Sequence, residues 1–262
     1  MSDLFNLSGD TAVVTGSSCG IGLAIADALL AQGANVVING MDADQIDETV
    51  AALSDKYLAD REGGRRVAGL PADVSHSQDV SDLFALTLST FGRVDHVVCN
   101  AGIDNIKPAV DYSVEEWDQI LTVNLRGTFL PAQEAARHWI ETGQAGSITM
   151  TSSIAGSVGI PTLAPYAASK GGVNQLVRTL AVEWAAHRIR VNGVAPGYVA
   201  NIMNNVTAHD DPESDRRIAT FTPLARRASV EEVAGPYAFL ASPAARYVTG
   251  AILAVDGGYT AH

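Results

Sequence analysis

Short apolar runs recur along the chain, separated by helix-length amphipathic stretches: TAVVT (11–15), NVVIN (35–39), RVAGL (66–70), DHVVC (95–99), SITMT (147–151), IRVNGVA (189–195) and AILAV (251–255). Strands that are apolar on both faces belong to a sheet covered on both sides, and connections of helix length make successive strands parallel. The pattern predicts an α/β fold, doubly wound, with one parallel seven-stranded sheet and helices on both faces, in a single domain over 1–262. Ligands on such a sheet lie beyond the carboxyl ends of the strands, so the residues directly after each run are the candidates for chemistry. Long helical patterns are expected to begin near Asn124 and near Pro165. Pro131 inside the first predicts a kink. Gly171 and Gly172 in the second cost about 1 kcal/mol each relative to alanine, so close packing there is expected to compensate. The polar stretch 200–228, with Pro212 and Pro223 after a strand end, differs in texture and is a candidate substrate lid.

Composition narrows the class without altering this picture. At 262 residues, with 47% hydrophobic and 18% charged positions, the chain fits one large globular α/β unit. A net charge of -12 argues against nucleic acid as partner. No apolar run reaches the roughly 18 residues of a membrane span. The start MSDLFNLSGD lacks the basic flank and apolar core of a signal peptide, and a cytoplasmic location with no membrane partner is expected. Cys19 and Cys99 do not make a disulfide framework, and the six histidines show no metal-ligand spacing, so no metal is expected.

Two motifs carry candidate chemistry. After the first run comes TGSSCGIG (15–22), opening into a helical pattern. Glycines there permit a tight turn and let backbone amides approach a phosphate at the positive end of a helix, although such a turn can also be purely structural. The second motif is YAASK (166–170), which puts a phenol and an ammonium one helical turn apart on the same face. A nearby ammonium favours the phenolate. Taken alone, the same spacing is also what an ordinary amphipathic helix with a surface lysine provides.

These motifs, with Asp73 in PADVS, NAG (100–102), Asn124 in VNLRG, SS (152 and 153), PG (196 and 197) and VDGG (255–258), follow one another in an order that resembles the short-chain dehydrogenase/reductase family over nearly the whole chain. The resemblance implies a Rossmann-like oxidoreductase with Tyr166 as general acid/base and Ser153 hydrogen-bonded to the substrate oxygen, while Ser152 faces structure. It further implies that Lys170 lowers the pKa of Tyr166 and holds the nicotinamide ribose, and that Asn124 keeps a water of a proton relay behind the lysine. The implied cofactor cradle takes Gly16, Ser18, Cys19, Gly20, Ile21 and Gly22 from the first turn, and Gly40 and Met41 from the second. Asp73 and Val74, then Asn100, Ala101 and Gly102, extend it, and Tyr166, Lys170, Pro196, Gly197, Val199 and Asn201 close it. Substrate is expected to meet Ser153, Tyr166, Asp104 and Tyr198, with Asn105, Asn204, Asn205 and His209 adding polar groups at the mouth. Plainer roles stay open: Asn124 as a helix cap, Asp73 as a loop anchor, and Asn100 to Gly102 as a turn.

At the end of the second run, NAD enzymes place an acid and NADP enzymes an arginine. Here Gly40 and Met41 occupy that place, Cys19 stands where a second basic residue would be, and Asp42 would repel a phosphate. NAD is therefore the expected cofactor, with NADP less favoured. The polar mouth suits a polyol, sugar or related hydroxylated secondary alcohol. A 3-oxoacyl-thioester reductase is the alternative, kept open by Arg216, Arg217, Arg226 and Arg227 as a surface for an acyl carrier. A non-catalytic dinucleotide-sensing module is a third reading, but it would tolerate loss of the serine, tyrosine or lysine, and all three are present. Apolar residues on more than one face of the long helices predict a homotetramer.

Overall fold

The computed structural model describes residues 2–58, 66–200 and 212–261. Each apolar run forms a strand to within one residue: β1 Thr11–Val14, β2 Asn35–Gly40, β3 Val67–Pro71, β4 His96–Cys99, β5 Gly146–Thr151, β6 Ile189–Pro196 and β7 Ile252–Val255. They make one sheet in the order β3-β2-β1-β4-β5-β6-β7, with every neighbouring pair parallel. The helices are α1 Gly20–Ala31, α2 Ala43–Leu58, α3 Ser77–Phe91, α4 Val114–Leu121, α5 Gly127–Thr142, α6 Ala164–Trp184, α7 Pro212–Phe221 and α8 Val230–Ala241.

Alternation along the strands explains why both faces are apolar. Val14 and Ile38 join Ile25 and Leu29 of α1 and Val233 and Tyr237 of α8 in one core. Their neighbours Val13 and Val37 point the other way, into a second core with Leu83 of α3, Trp139 of α5 and Val177 of α6. Strand order reverses between β1 and β4, and that reversal opens the crevice where a ligand can lie.

Local signals set the helix ends. Ser113 and Ser229 each close a capping box, with Glu116 and Glu232 respectively. The helical run expected to begin near Asn124 in fact begins at Val114 and passes through a π-helical turn, Thr122–Arg126, into α5. The Gly127 amide donates to the Thr122 carbonyl five residues back, so Asn124 lies inside a wide turn and caps nothing. The irregularity thus falls ahead of Pro131. In α6 the cost of glycine is met by close packing, since a Cβ on Gly172 would sit 2.9 Å from Leu125 Cδ1.

Beyond β6 the chain makes an excursion tied at its base. Val199 bridges Ala228 in parallel, the Ala200 amide donates to the Ala228 carbonyl at 2.9 Å, and the Ala228 amide donates to the Tyr198 carbonyl at 2.9 Å. The positions expected at Asn201, Asn204, Asn205 and His209 lie outside the described residues.

Candidate active site

The turns that follow β1 to β6 enclose a cleft of about 620 Å³, a size suited to a dinucleotide fragment with a small substrate. Gly16, Ser18, Cys19, Ile21 and Gly22 line it from the first turn, Gly40 and Met41 from the second, and Asp73 and Val74 from the third. Asn100, Ala101, Gly102 and Asp104 come from the fourth, Ser153 from the fifth, Tyr166 and Lys170 from α6, and Pro196, Gly197 and Val199 from the sixth. Gly20 opens α1 with φ 57 and serves the turn rather than the lining.

The glycine turn is shaped for close approach. A Cβ on Gly22 would lie 2.0 Å from the Gly16 carbonyl oxygen, so only glycine lets α1 start this near the strand end. Cys19, the N-cap, supplies no side-chain cap, and the first turn of α1 has no acid. Its amides and positive helix end are therefore free to meet an anionic pyrophosphate, which is how the residues present fit a dinucleotide.

Around the reacting end, the structure brings Ser153, Tyr166 and Lys170 together. The Ser153 hydroxyl accepts from the Ala155 amide at 3.1 Å and faces the Tyr166 phenol closely enough to favour its ionised form. Lys170 is 3% exposed, its Nζ donates to the Thr151 carbonyl at 2.8 Å, and it lies 5.5 Å from the centroid of the Tyr166 ring. Ser152 is structural, donating to Asn174 Oδ1 at 2.6 Å. Asn124 is fully buried, accepts from the Ile103 amide at 2.8 Å and donates to the Ile103 carbonyl at 2.9 Å. A Cβ on Gly102 would be 3.2 Å from Asn124 Oδ1 and 3.6 Å from Lys170 Nζ, so both groups close in on that glycine.

Two expectations need correction. The ammonium was expected to lower the pKa of Tyr166, but burial dominates. It pushes the phenol up to about 12, helped by the negative charge of Asp104, and brings the Lys170 ammonium down to about 8. Tyr198, expected at the substrate, is not among the lining residues described. Along an extended segment side chains alternate, so Gly197 and Val199 line the cleft while Tyr198 packs edge-on against Tyr259 at 5.7 Å. Asp73 is both lining and loop anchor: its carboxylate accepts from the Ser75 amide at 2.9 Å, which helps hold it below the ordinary carboxylate range.

Several residues escaped the motifs. Asn39 accepts from the Gly16 amide at 3.3 Å and donates to the Ala72 carbonyl at 3.0 Å, joining three strand ends. Thr151 Oγ1 donates to Asn100 Oδ1 at 3.2 Å, and Asn100 Nδ2 donates to the carbonyls of Thr15 and Gly16 at 3.1 Å. Thr151 Oγ1 is also 2.8 Å from the Tyr237 hydroxyl, which is fully buried on α8. A hydroxyl has one proton, and Thr151 gives it to Asn100, so Tyr237 must be the donor to Thr151. The chain from Tyr237 to Gly16 fixes the amide flip of Asn100 and thereby the phosphate turn. Tyr237→Phe should lower stability by about 1 kcal/mol and raise the cofactor KM several-fold with a smaller change in kcat. Denaturant unfolding and cofactor titration check this, and unchanged values in both would remove the chain from the design of the site.

A family profile described as Enoyl-(Acyl carrier protein) reductase matches residues 16–260. The chain is 36% identical over 258 residues to a gluconate 5-dehydrogenase of Gluconobacter oxydans, covering 98% of this chain and 97% of that protein. It is 41% identical over 256 residues to 3beta-hydroxysteroid dehydrogenase 1 of Eggerthella lenta, covering 97% and 95%. A crystal structure of a gluconate 5-dehydrogenase from Burkholderia cenocepacia in complex with NADP and tartrate superposes with a TM-score of 0.91 at 34% identity, covering 100% of this chain and 99% of that one.

Proposed function

Since the chain belongs to the short-chain dehydrogenase/reductase family, we propose that it carries a hydride between NAD and a secondary alcohol or its ketone on a polyol, sugar or related hydroxylated molecule. It is an oxidoreductase acting on CH–OH groups. The observation that carries the finer reading is the meeting of Ser153, Tyr166 and Lys170 at the end of a cleft whose other end is a glycine turn with free amides.

When bound, the nicotinamide group supplies the hydride acceptor or donor. The chain's own residues manage the proton. Ser153 donates to the substrate oxygen, and Tyr166 gives a proton to that oxygen as a ketone is reduced or takes one as an alcohol is oxidised. Lys170 holds the ribose, and Asn124 keeps a water behind it. The segment 200–228 is the lid. Following nicotinamide absorbance with NAD+ and NADP+ against a panel of secondary alcohols tests the reading, and no turnover anywhere on the panel rejects it.

NAD is favoured even though a similar structure holds NADP. Met41 stands at the rim, 73% exposed, and Lys170 is the one Lys or Arg among the described lining residues. The Asp42 carboxylate accepts from the Gln45 amide at 3.1 Å at the start of α2, which keeps an anion beside that rim. A second phosphate there would be uncompensated.

The acyl-carrier alternative loses support because two of its arginines are engaged. Arg226 pairs with both oxygens of Glu232 at 2.7 Å, and Arg227 pairs with Asp215 at 3.0 Å. The intact Ser153, Tyr166 and Lys170 speak against a sensing module.

The proposal includes a homotetramer, supported by exposed apolar side chains on the long helices: Val114, Trp117, Ile140 and Val182. Light scattering at working concentration is expected to give the tetramer mass, and monomer alone would reject it. It also includes a cytoplasmic location, supported by two free cysteines, one of them buried. Among the described residues, no helix is long and apolar enough to cross a membrane, and no side-chain cluster could hold a metal.

A further inference from the structure

We infer that Tyr112 is a positioning residue for the proton-transfer group: its hydroxyl, on a loop pinned to α4, holds Thr162 in a left-handed backbone conformation and so sets where the first turn of α6 carries Tyr166. The inference rests on the reading above. Tyr112 is not among the lining residues described, so it acts through the chain it holds.

Thr162 has φ 69, a conformation that glycine and asparagine enter easily and a β-branched residue does not. The place is a demanding one. The chain leaves Ser153, runs through 154–163 and enters α6 at Ala164, two positions before Tyr166. Leu163, directly after Thr162, is the N-cap of α6, and its carbonyl accepts from the Ala167 amide at 2.7 Å. A different φ at Thr162 would deliver that first turn, and the phenol on it, at another angle to Ser153.

The hold on Thr162 comes from the loop after β4. Its own hydroxyl donates to the neighbouring Pro161 carbonyl at 2.5 Å. Its carbonyl accepts from the Lys107 amide and from the Tyr112 hydroxyl, each at 3.1 Å. The same hydroxyl bonds the Asn105 carbonyl, so one phenol joins its own loop to the loop that follows Ser153.

That loop is fastened at several points. Glu116 of α4 takes Lys107 Nζ at 2.5 Å on each oxygen, Asn105 Nδ2 at 3.0 Å and the Ser113 amide at 2.9 Å. Asn124 holds Ile103 by both its amide and its carbonyl. Tyr112 lies between these ties, with Lys107 Nζ 5.2 Å from its ring centroid. A sparsely populated backbone conformation persists where a rigid neighbour determines it, and here that conformation stands four residues before Tyr166.

A cycle of two substitutions tests this, with the unfolding midpoint as control. Tyr112→Phe keeps the ring beside Lys107 and removes the hydroxyl, whereas Thr162→Gly removes the side chain that disfavours the left-handed conformation. Tyr112→Phe is expected to lower the single-turnover rate about tenfold, with cofactor and alcohol KM near wild type. In the Thr162→Gly background the same change should cost about twofold or less. Hydrogen exchange reads the clamp without turnover, and the amides of Lys107 and Ala167 should exchange about tenfold faster in Tyr112→Phe. A rate that Tyr112→Phe leaves unchanged overturns the inference, as does an equal loss in both backgrounds. A loss carried by the alcohol KM alone also overturns it, because that is the signature of direct contact with substrate. Exchange indifferent to the substitution overturns the clamp even where wild type is fully active. A wild type that turns over no alcohol rejects the oxidoreductase reading itself, and the positioning role with it.

Discussion

Tyr166→Phe is expected to lower kcat by about 10²- to 10⁴-fold, the usual loss when a general acid/base is removed. Cofactor affinity and unfolding midpoint should stay near wild type, because the change deletes one oxygen from a half-buried ring and leaves its packing. The phenol, held up to about 12 by burial and by Asp104, is protonated throughout the neutral range and ready to donate as a ketone is reduced. Oxidation of an alcohol needs the phenolate instead, so its rate should climb with pH in wild type, and that climb should vanish in the variant. Steady-state kinetics in both directions, with cofactor binding measured separately, checks the expectation. Near-full activity in Tyr166→Phe would take this residue out of the mechanism.

Met41→Arg is expected to improve use of NADP relative to NAD by roughly ten- to a hundredfold. The side chain stands exposed at the rim beside Gly40, where a guanidinium can reach a 2′-phosphate without disturbing the sheet. A charge-assisted hydrogen bond contributes about 1.5 to 3 kcal/mol, which sets that range. Gly40→Asp, the other obvious change, should fail for steric reasons. A Cβ there would lie 2.7 Å from Ser18 Oγ, which is itself bonded to Gln45 at 2.7 Å. Paired kinetics with both cofactors on wild type and Met41→Arg decide the matter. A wild type that already prefers NADP, or a ratio unmoved by the arginine, would show that this rim does not face the ribose.

The strands were legible because a parallel sheet buried on both sides leaves continuous apolar runs, and the cleft lining was legible because chemistry collects where those runs stop. What stayed hidden depends on contacts distant in sequence. Nothing near Thr151 announces that a tyrosine 86 positions later will hold its hydroxyl. Asn39 reads as the polar end of an apolar run until three strand ends are seen to converge on it. The wide turn around Asn124 keeps a helical pattern on both sides, so periodicity passes over it. The facing of Tyr198 stayed hidden because a single bridge beyond a strand end carries no run long enough to reveal which side is which. The direction of the Tyr166 shift was misjudged because burial, unlike a neighbouring ammonium, cannot be read from spacing.

The parallel bridge between Val199 and Ala228 has a consequence for how the molecule can change. The ends of the intervening excursion are joined by backbone hydrogen bonds, so the sheet does not register how much chain lies between them. Closure entropy grows only logarithmically, and doubling the length of such a loop costs about 0.6 kcal/mol. Changes of length between those two residues are therefore cheap for folding wherever they spare Ile218 and Thr222, which are buried, and Leu224, whose amide donates to the Gly257 carbonyl at 3.1 Å. The tie at the base lets such a change be absorbed while the proton-transfer groups stay where they are.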